Sequence, residues 1–159
     1  MIAADLLEAI CRQFALDLHG IHGLAHWQRV AENGRRLAAL SGANAGVVDL
    51  FAYLHDSCRQ SDGRDTEHGP RAAQFVRSLQ GRLIHLTDPE LELLTYACEH
   101  HTRGLTEADL TVQVCWDADR LDLGRIGVWV DPQRLCTPAA RDAAMIEWAW
   151  RRSRGITDL

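Results

Sequence analysis

The spacing of apolar residues is the feature that most restricts how this 159-residue chain can fold. Apolar side chains recur every three or four residues along most of it, as in Leu6, Ile10 and Phe14, and the alternating pattern of strands is nearly absent. With 47% hydrophobic residues, the chain is able to bury a core of its own. The sequence therefore predicts an all-α fold: a compact, single-domain bundle of about seven helices over residues 1–159.

Local signals predict where several of these helices begin and end. The first helix is predicted to continue to the segment HGIHG at residues 19–23. The second is predicted to begin near Leu24 and to end at Gly42, since glycine adopts the left-handed conformation of a helix C-cap. A capping-box pattern with an early proline lies at residues 87–90 (TDPE), and Thr137 precedes a proline at the predicted start of the last helix.

Charge and composition exclude several classes of function. All 17 basic residues are arginines, which excludes a Schiff-base lysine and a phosphate-binding loop of the GK[ST] type. The net charge of −5 gives no strong signal for nucleic-acid binding. No stretch approaches the ~18 uninterrupted apolar residues of a membrane-spanning helix, so no membrane association is predicted. The five cysteines are widely spaced and odd in number, a pattern typical of reduced thiols in a cytoplasmic protein.

Histidines and aspartates fall at the ends or on the apolar faces of several predicted helices. The residues concerned are His26, His55, Asp56, His68, His100, His101 and Asp119. A carboxylate on an apolar face is costly to bury unless it is paired or binds a cation. Singly, each histidine is more often an ordinary core residue, but together they indicate a metal site. His22, four residues before His26, is an alternative ligand, although the predicted helix start favours His26.

The chain resembles the HD-domain superfamily of metal-dependent phosphohydrolases in five segments, which follow the family's order: GLAHWQRV, YLHDSCR, EHGPRAA, CEHHT and DADRLD. The resemblance is strongest over residues 20–127. An HD pair alone is a weak signal, but this pair follows an apolar helix, with H-x-x-R-V before it and A-D-R-L after it. The resemblance implies the HD-domain fold and a hydrolytic metal centre.

The resemblance also implies roles for individual residues. The residues that match the ligands of the first divalent ion are His26, His55, Asp56 and Asp119. Those that match the additional histidines of members with two ions are His68, His100 and His101. In such members the aspartate at the position of Asp56 bridges the two ions. Arg59 stands where many members have a lysine that contacts the scissile phosphate, so Asp56 and Arg59 are the predicted catalytic residues.

Imidazole and carboxylate ligands favour one or two borderline divalent ions such as Mn, Fe, Co, Ni or Zn. Such an ion can lower the pKa of a bound water to about 7 and generate a nucleophile. The arginines that flank the ligand segments, and are therefore candidates for binding substrate, are Arg59, Arg64, Arg71 and Arg103. Asp122, three residues after Asp119, is predicted to orient a ligand or a water.

The predicted function is that of a metal-dependent phosphohydrolase, either a phosphomonoesterase or a phosphodiesterase. Its substrate is expected to be a nucleotide or another small phosphate ester. Alternatives are an HD-fold di-iron oxygenase, a non-catalytic nucleotide-binding sensor, and a helical interaction module that uses Trp148 and Trp150. A homodimer is a further possibility, and Cys58 is a weaker candidate for a thiol nucleophile beside His55.

Overall fold

The computed structural model describes residues 1–157, and apart from one bridge between Gln80 and Ile84 all their regular structure is helical. The α-helices are α1 (Ala4–Gln13), α2 (Leu24–Ser41), α3 (Ala45–Leu54), α4 (His68–Leu79), α5 (Asp88–His100), α6 (Leu110–Arg120), α7 (Pro138–Arg141) and α8 (Ala143–Ser153). Two short 3-10 segments lie at Leu123–Ile126 and Pro132–Arg134. The all-α prediction is confirmed, with eight α-helices in this range rather than about seven.

Two predicted helix boundaries are wrong. Helix α1 ends at Gln13 rather than at HGIHG, because Phe14 has an extended backbone and packs its ring edge-on against Trp27, with centroids 5.0 Å apart. The helix predicted after Thr137 is divided into α7 and α8 by Asp142, whose extended backbone ends one helix while its side chain accepts a hydrogen bond from the Met145 N–H of the next. This division accounts for the additional helix.

Other boundaries agree with the local signals. Gly42 caps α2 in the left-handed region with φ of +82°. Asn44 then begins α3 by accepting a hydrogen bond from the Val47 N–H. Thr87 and Glu90 form the reciprocal capping box at the start of α5. Because Asn44 fixes where α3 begins and the helix runs through the core, the position of its C-terminus places His55 and Asp56.

The buried residues form one continuous hydrophobic cluster in which α2, α3, α5 and α6 pack together. Helices α2 and α3 approach closely at Gly34, where an added Cβ would lie 2.4 Å from Val48 Cγ1. Helix α4 packs on α5 at Gly69, where a Cβ would lie 2.7 Å from the Glu99 carbonyl oxygen. These contacts bring the polar ends of α3, α4 and α5 to one side of the bundle. The assignment of residues 1–159 to a single domain stays a prediction.

The segment after α6 is held down by Asp117, a fully buried residue. Its carboxylate accepts hydrogen bonds from the N–H groups of Cys136 and Thr137 and from the Thr137 hydroxyl, at 2.6, 2.9 and 2.7 Å. Trp148 and Trp150 both pack on the bundle: Trp148 lies against the core, and the rings of Trp150 and Trp129 are 5.0 Å apart. No helix within residues 1–157 has the length and apolar character needed to span a membrane.

Candidate metal centre

Separate helix ends bring histidine and aspartate side chains to one buried point. His26 lies in the first turn of α2, His55 directly follows α3, and Asp119 lies in the last turn of α6. His68 is the first residue of α4, and His101 directly follows α5. Helix ends suit a buried polar site because the chain there leaves the apolar core, so polar side chains at these positions can meet without disrupting it.

The first group of ligand atoms consists of two imidazole nitrogens and two carboxylate oxygens. His26 Nε2 lies 3.2 Å from His55 Nε2, and it lies 3.4 Å from both Asp56 Oδ2 and Asp119 Oδ1. His55 Nε2 lies 3.5 Å from Asp56 Oδ2 and 3.4 Å from Asp119 Oδ1. Ligand atoms about 2.1 Å from a common ion are about 3.4 Å apart in a tetrahedron and about 3.0 Å apart in adjacent octahedral positions. The observed separations fit such an ion.

The second group is built on the other carboxylate oxygen of Asp56. Asp56 Oδ1 lies 3.1 Å from His68 Nε2 and 3.4 Å from His101 Nε2, and the two imidazole nitrogens are 2.9 Å apart. Asp56 is 3% exposed, so neither of its oxygens is well solvated. One carboxylate therefore faces two groups of imidazole nitrogens, one on each oxygen.

The other ring nitrogen of each histidine is directed at an oxygen. His26 Nδ1 lies 2.7 Å from Asp122 Oδ2, and His55 Nδ1 lies 3.1 Å from the carbonyl oxygen of Phe51. His68 and His101 direct Nδ1 at main-chain carbonyl oxygens, each at 2.6 Å. Because a carbonyl or carboxylate oxygen accepts a hydrogen bond, Nδ1 carries the proton and Nε2 of the neutral ring presents a lone pair. Four such lone pairs and two carboxylates converge, an arrangement that a cation stabilises.

The charge states of the acids agree with this conclusion. Burial raises the pKa of Asp56, but nearby histidines, chiefly His55, outweigh burial and hold that pKa well below its usual range. The same opposing effects hold the pKa of Asp119 well below its usual range. Burial and Arg125 lower the pKa of His26, yet hydrogen bonds with Asp119, Asp122 and Asp56 raise it to about 10. The site thus stabilises positive charge, whether a proton or a metal ion carries it.

Asp122 supports the first group of ligands from the side of His26 that faces away from the other ligand atoms. Besides its contact with His26, it accepts hydrogen bonds from Arg29 Nε and Nη2, at 2.7 and 3.1 Å, and it is 1% exposed. The arginine fixes the carboxylate, and the carboxylate fixes the orientation of the imidazole. Arg29 was not among the predicted site residues, although its position three after His26 on one helix face was a usable signal.

A cleft of about 310 Å³, which we call the metal cleft, opens over this centre. Asp56, His101 and Asp119 lie at its base. Arginine and acid side chains line one part of its wall, and the apolar residues Ile21, Leu123 and Ile126 line another. The cleft is therefore large enough for a small ligand, with both polar and apolar contacts available.

The predicted arginines differ in what they bind. Arg59 lines the metal cleft and lies against Asp56, with Nε 3.3 Å from Oδ1, while its Nη1 donates to the carbonyls of Ser61 and Gly63. Arg71 is taken up by Asp65, with contacts of 2.6 and 2.7 Å, so we leave it out of the proposed substrate site.

Arg64 and Arg103 lie outside the metal cleft and line a neighbouring cavity with His68. Arg125 lines the metal cleft itself and was missed, because it lies in the short 3-10 segment after α6, beyond the helix whose apolar pattern located Asp119.

The structure also describes the surroundings of His100, His22 and Cys58. His100 lies apart from both groups: its ring packs on Tyr96 with centroids 4.4 Å apart, so we leave it out of the proposed ligands. His22, placed in a turn by the sequence, is buried and lines the metal cleft, with Nδ1 2.7 Å from Asp62 Oδ1. Burial raises the pKa of Cys58, which disfavours the thiolate that a nucleophile requires.

The fold and the buried centre define a class: an all-α protein whose helix ends bring histidine and aspartate side chains together at a point that could hold a cation. Among solved structures, the fold is similar to that of a protein from an uncultured Thermotogales bacterium described as a "predicted HD superfamily hydrolase". The TM-score is 0.72 at 24% identity, over 94% of this chain and 86% of the other. The HD-domain fold is thereby confirmed. No family model and no curated protein sequence matches the chain.

Proposed function

We propose that this protein is a metal-dependent phosphohydrolase that acts on a nucleotide or another small phosphate ester. The observation that carries the proposal is the position of Asp56 between two groups of imidazole nitrogens. Its Oδ2 faces His26 and His55, while its Oδ1 faces His68 and His101. A carboxylate shared by two divalent ions is suited to the in-line displacement that two-metal centres catalyse.

The proposed ligands fit one or two divalent ions of the borderline type, from Mn to Zn. The ligands of the first ion are His26, His55, Asp56 and Asp119, and those of the second are Asp56, His68 and His101. Such ions would supply an activated water and a Lewis acid for the phosphoryl oxygens. Two ions bring a charge of +4 against the two carboxylates, which favours an anionic substrate.

Arg59 and Arg125 are the cationic side chains proposed to hold the substrate phosphate in the metal cleft. Arg59 is fixed by Asp56 and by the main chain of the loop before α4. Arg125 is fixed by the carbonyl oxygens of Ile21 and Asp122, at 2.9 and 3.1 Å. Guanidinium groups held in this way lose little conformational freedom when they bind a phosphate.

His22 is proposed to carry the proton that the leaving oxygen needs. Asp62 orients the ring through Nδ1. Burial lowers the pKa of His22 although the hydrogen bond with Asp62 opposes this effect, so a proton on the ring is given up readily. The ring lines the metal cleft 6.5 Å from that of His26. A carboxylate that orients an imidazole beside the reacting group is the usual arrangement for general acid–base catalysis.

We propose a cytoplasmic location for this activity. All five cysteines are free thiols, and Cys98 and Cys115 are fully buried among apolar groups. Burial raises the pKa of Cys98 and of Cys115 well above the usual value, so both stay in the unreactive thiol form. Unpaired cysteines are typical of proteins in a reducing compartment.

The decisive experiment combines metal analysis with turnover. Purified wild-type protein should contain a divalent metal and hydrolyse members of a panel of nucleotides, p-nitrophenyl phosphate and bis-p-nitrophenyl phosphate. Asp56→Asn should lose both metal and turnover, because both groups of ligands depend on Asp56. His85→Ala, at an exposed position, is the matched control and should retain both. An Asp56→Asn protein with wild-type metal content and turnover contradicts the proposal.

The bridged pair of ligand groups also favours a second candidate, a di-iron oxygenase on the same scaffold. His68 and His101 complete a second ligand group that a mononuclear hydrolase does not need. Iron-loaded protein that consumes oxygen with a polyol or phosphonate, and hydrolyses no phosphate ester, would identify this activity. Metal-dependent nucleotide binding without any product would instead identify a sensor.

A further inference from the structure

A second cavity adjoins the metal cleft on the side of α4. It has a volume of about 480 Å³, and we call it the arginine lobe. It is lined by residues 63–68 together with Arg59, Thr102 and Arg103. Apart from Arg59 and His68, its lining residues have no part in the functions proposed above, and the lining is more polar than the wall of the metal cleft at Ile21 and Ile126.

The arginine lobe and the metal cleft are parts of one surface depression. Arg59 and Thr102 line both cavities. His68, a proposed ligand of the second ion, lies in the wall of the arginine lobe, while His101, its partner in that group, lies in the wall of the metal cleft. A ligand that reaches from the centre past Arg59 therefore enters the lobe.

The charges in the arginine lobe are not balanced internally. Within residues 1–157, the guanidinium groups of Arg64 and Arg103 make no hydrogen bond or ion pair, and both residues are exposed. The lobe contains two acids: Asp65, which is occupied by Arg71, and Glu67, which is exposed at the start of α4. The lobe thus contains two free cations and one free anion, at the edge of a centre that would favour anions once it holds two metal ions.

We propose that the arginine lobe binds a second anionic group of the substrate, so that the preferred substrates are phosphate esters that carry a further phosphate or carboxylate. This inference rests on the proposed function. The scissile phosphate would lie at Arg59 over the centre. The second anion would lie between Arg64 and Arg103, with the Thr102 hydroxyl as an additional donor. Guanidinium groups bind phosphate and carboxylate in the same bidentate manner.

Among the arginines near the lobe, Arg64 and Arg103 are suited to bind a second anion, whereas Arg71 is not. Arg71, on α4, is held at the Cys58 carbonyl and at Asp65, so its charge is already paired and it shapes the loop before α4. Arg64 and Arg103 come from two different segments and meet only across the cavity. A second anion between Arg64 and Arg103 would pair with both guanidinium groups, which would explain why two unpaired cations lie at the same cavity.

The experiment compares substrates that differ only in their second phosphate. The pairs are fructose 6-phosphate with fructose 1,6-bisphosphate, and adenosine 5′-monophosphate with adenosine 3′,5′-bisphosphate and with adenosine diphosphate. For metal-loaded wild-type protein, kcat/KM should be about tenfold higher or more for at least one bisphosphorylated member. In the Arg64→Ala/Arg103→Ala variant this ratio should fall towards one. The control, Arg77→Ala/Arg82→Ala, removes the same charge at exposed positions elsewhere and should keep the ratio.

A binding measurement separates this proposal from the proposed function. Calorimetry with the same bisphosphates should show tighter binding than the monophosphates, and the Arg64→Ala/Arg103→Ala variant should lose that difference. If the variant loses it and no ester is hydrolysed, the arginine lobe stands and the hydrolase proposal fails. If esters are hydrolysed but the wild type shows no preference, or the variant keeps it, the arginine lobe is only a solvated surface and the hydrolase proposal stands.

Discussion

Asp122→Asn tests the link between the acid behind the centre and the binding of metal. The substitution preserves size at a position that is 1% exposed, so it leaves the packing intact. Asp122 accepts from His26 Nδ1 at 2.7 Å and from Arg29 Nε at 2.7 Å. An asparagine has one accepting oxygen, so in either orientation of its amide one of these donors faces the NH₂ group.

The expected magnitude follows from the tautomer of His26. When the amide NH₂ faces Nδ1, the ring is driven to the tautomer with the proton on Nε2, which cannot bind metal. Loss of such an orienting group lowers metal affinity about 10–100-fold, or about 1.4–2.7 kcal/mol. When the NH₂ faces Arg29 instead, a partly buried donor of that arginine loses its acceptor, which costs about 1 kcal/mol of folding stability.

Metal affinity should be measured by competition with a chromophoric chelator, and the stability of the metal-free protein by urea denaturation. Asp88→Asn is the matched control, because Asp88 is an exposed acid in the first turn of α5. A folded Asp122→Asn protein with the metal affinity and the metal-free stability of the wild type would refute the role of Asp122.

Three further predictions concern the wall of the cleft and the packing beneath it. His22→Asn should lower kcat about 100-fold or more with unchanged metal content, and a variant with wild-type kcat removes His22 from the mechanism. Gly69→Ala should lower the free energy of unfolding, measured by urea denaturation, by about 1–3 kcal/mol, because the added Cβ would lie 2.7 Å from the Glu99 carbonyl oxygen. An unchanged free energy of unfolding would contradict the close contact between α4 and α5. Asp65→Asn should destabilise the protein by about 1 kcal/mol at pH 7 and by less at pH 3. Burial raises the pKa of Asp65, but hydrogen bonds with Gln60 and Arg71 outweigh burial and lower that pKa overall. The stability that the ionised Asp65 contributes is therefore fully present above about pH 3.9 and is lost as the pH falls through the lower folded pKa. Equal destabilisation at both pH values would contradict this assignment.

The sequence determined the helices and the nature of the centre because both depend on short-range order. The run VVDLFAYL has the apolar content of a core helix, and it ends at His55 and Asp56. Capping signals at Gly42 and at residues 87–90 act within four residues, so they can be read from the chain alone. For the same reason the presence of imidazole and carboxylate groups at the centre follows from composition and order.

Local patterns failed where a tertiary contact overrode them. The apolar spacing continues past Gln13, but Phe14 leaves the helix to pack on Trp27. Similarly, the adjacent pair His100 and His101 cannot be resolved by sequence: successive residues on a helix point about 100° apart, so at most one of them faces a given partner. The packing of α5 on α4 decides in favour of His101, which lies 2.9 Å from His68.

Only the tertiary structure decided which groups lie close enough to share a cation and which arginines have no acidic partner. His26 and Asp122 are separated by 96 residues, and Arg125 reaches Ile21 across 104, so no pattern along the chain relates them. Arg71 and Arg103 look alike in sequence, yet one is neutralised by Asp65 and the other faces an open cavity. The distances of about 3 Å between imidazole nitrogens and carboxylate oxygens depend on where whole helices end in space. The packing of the apolar faces of these helices, away from the site, sets those positions.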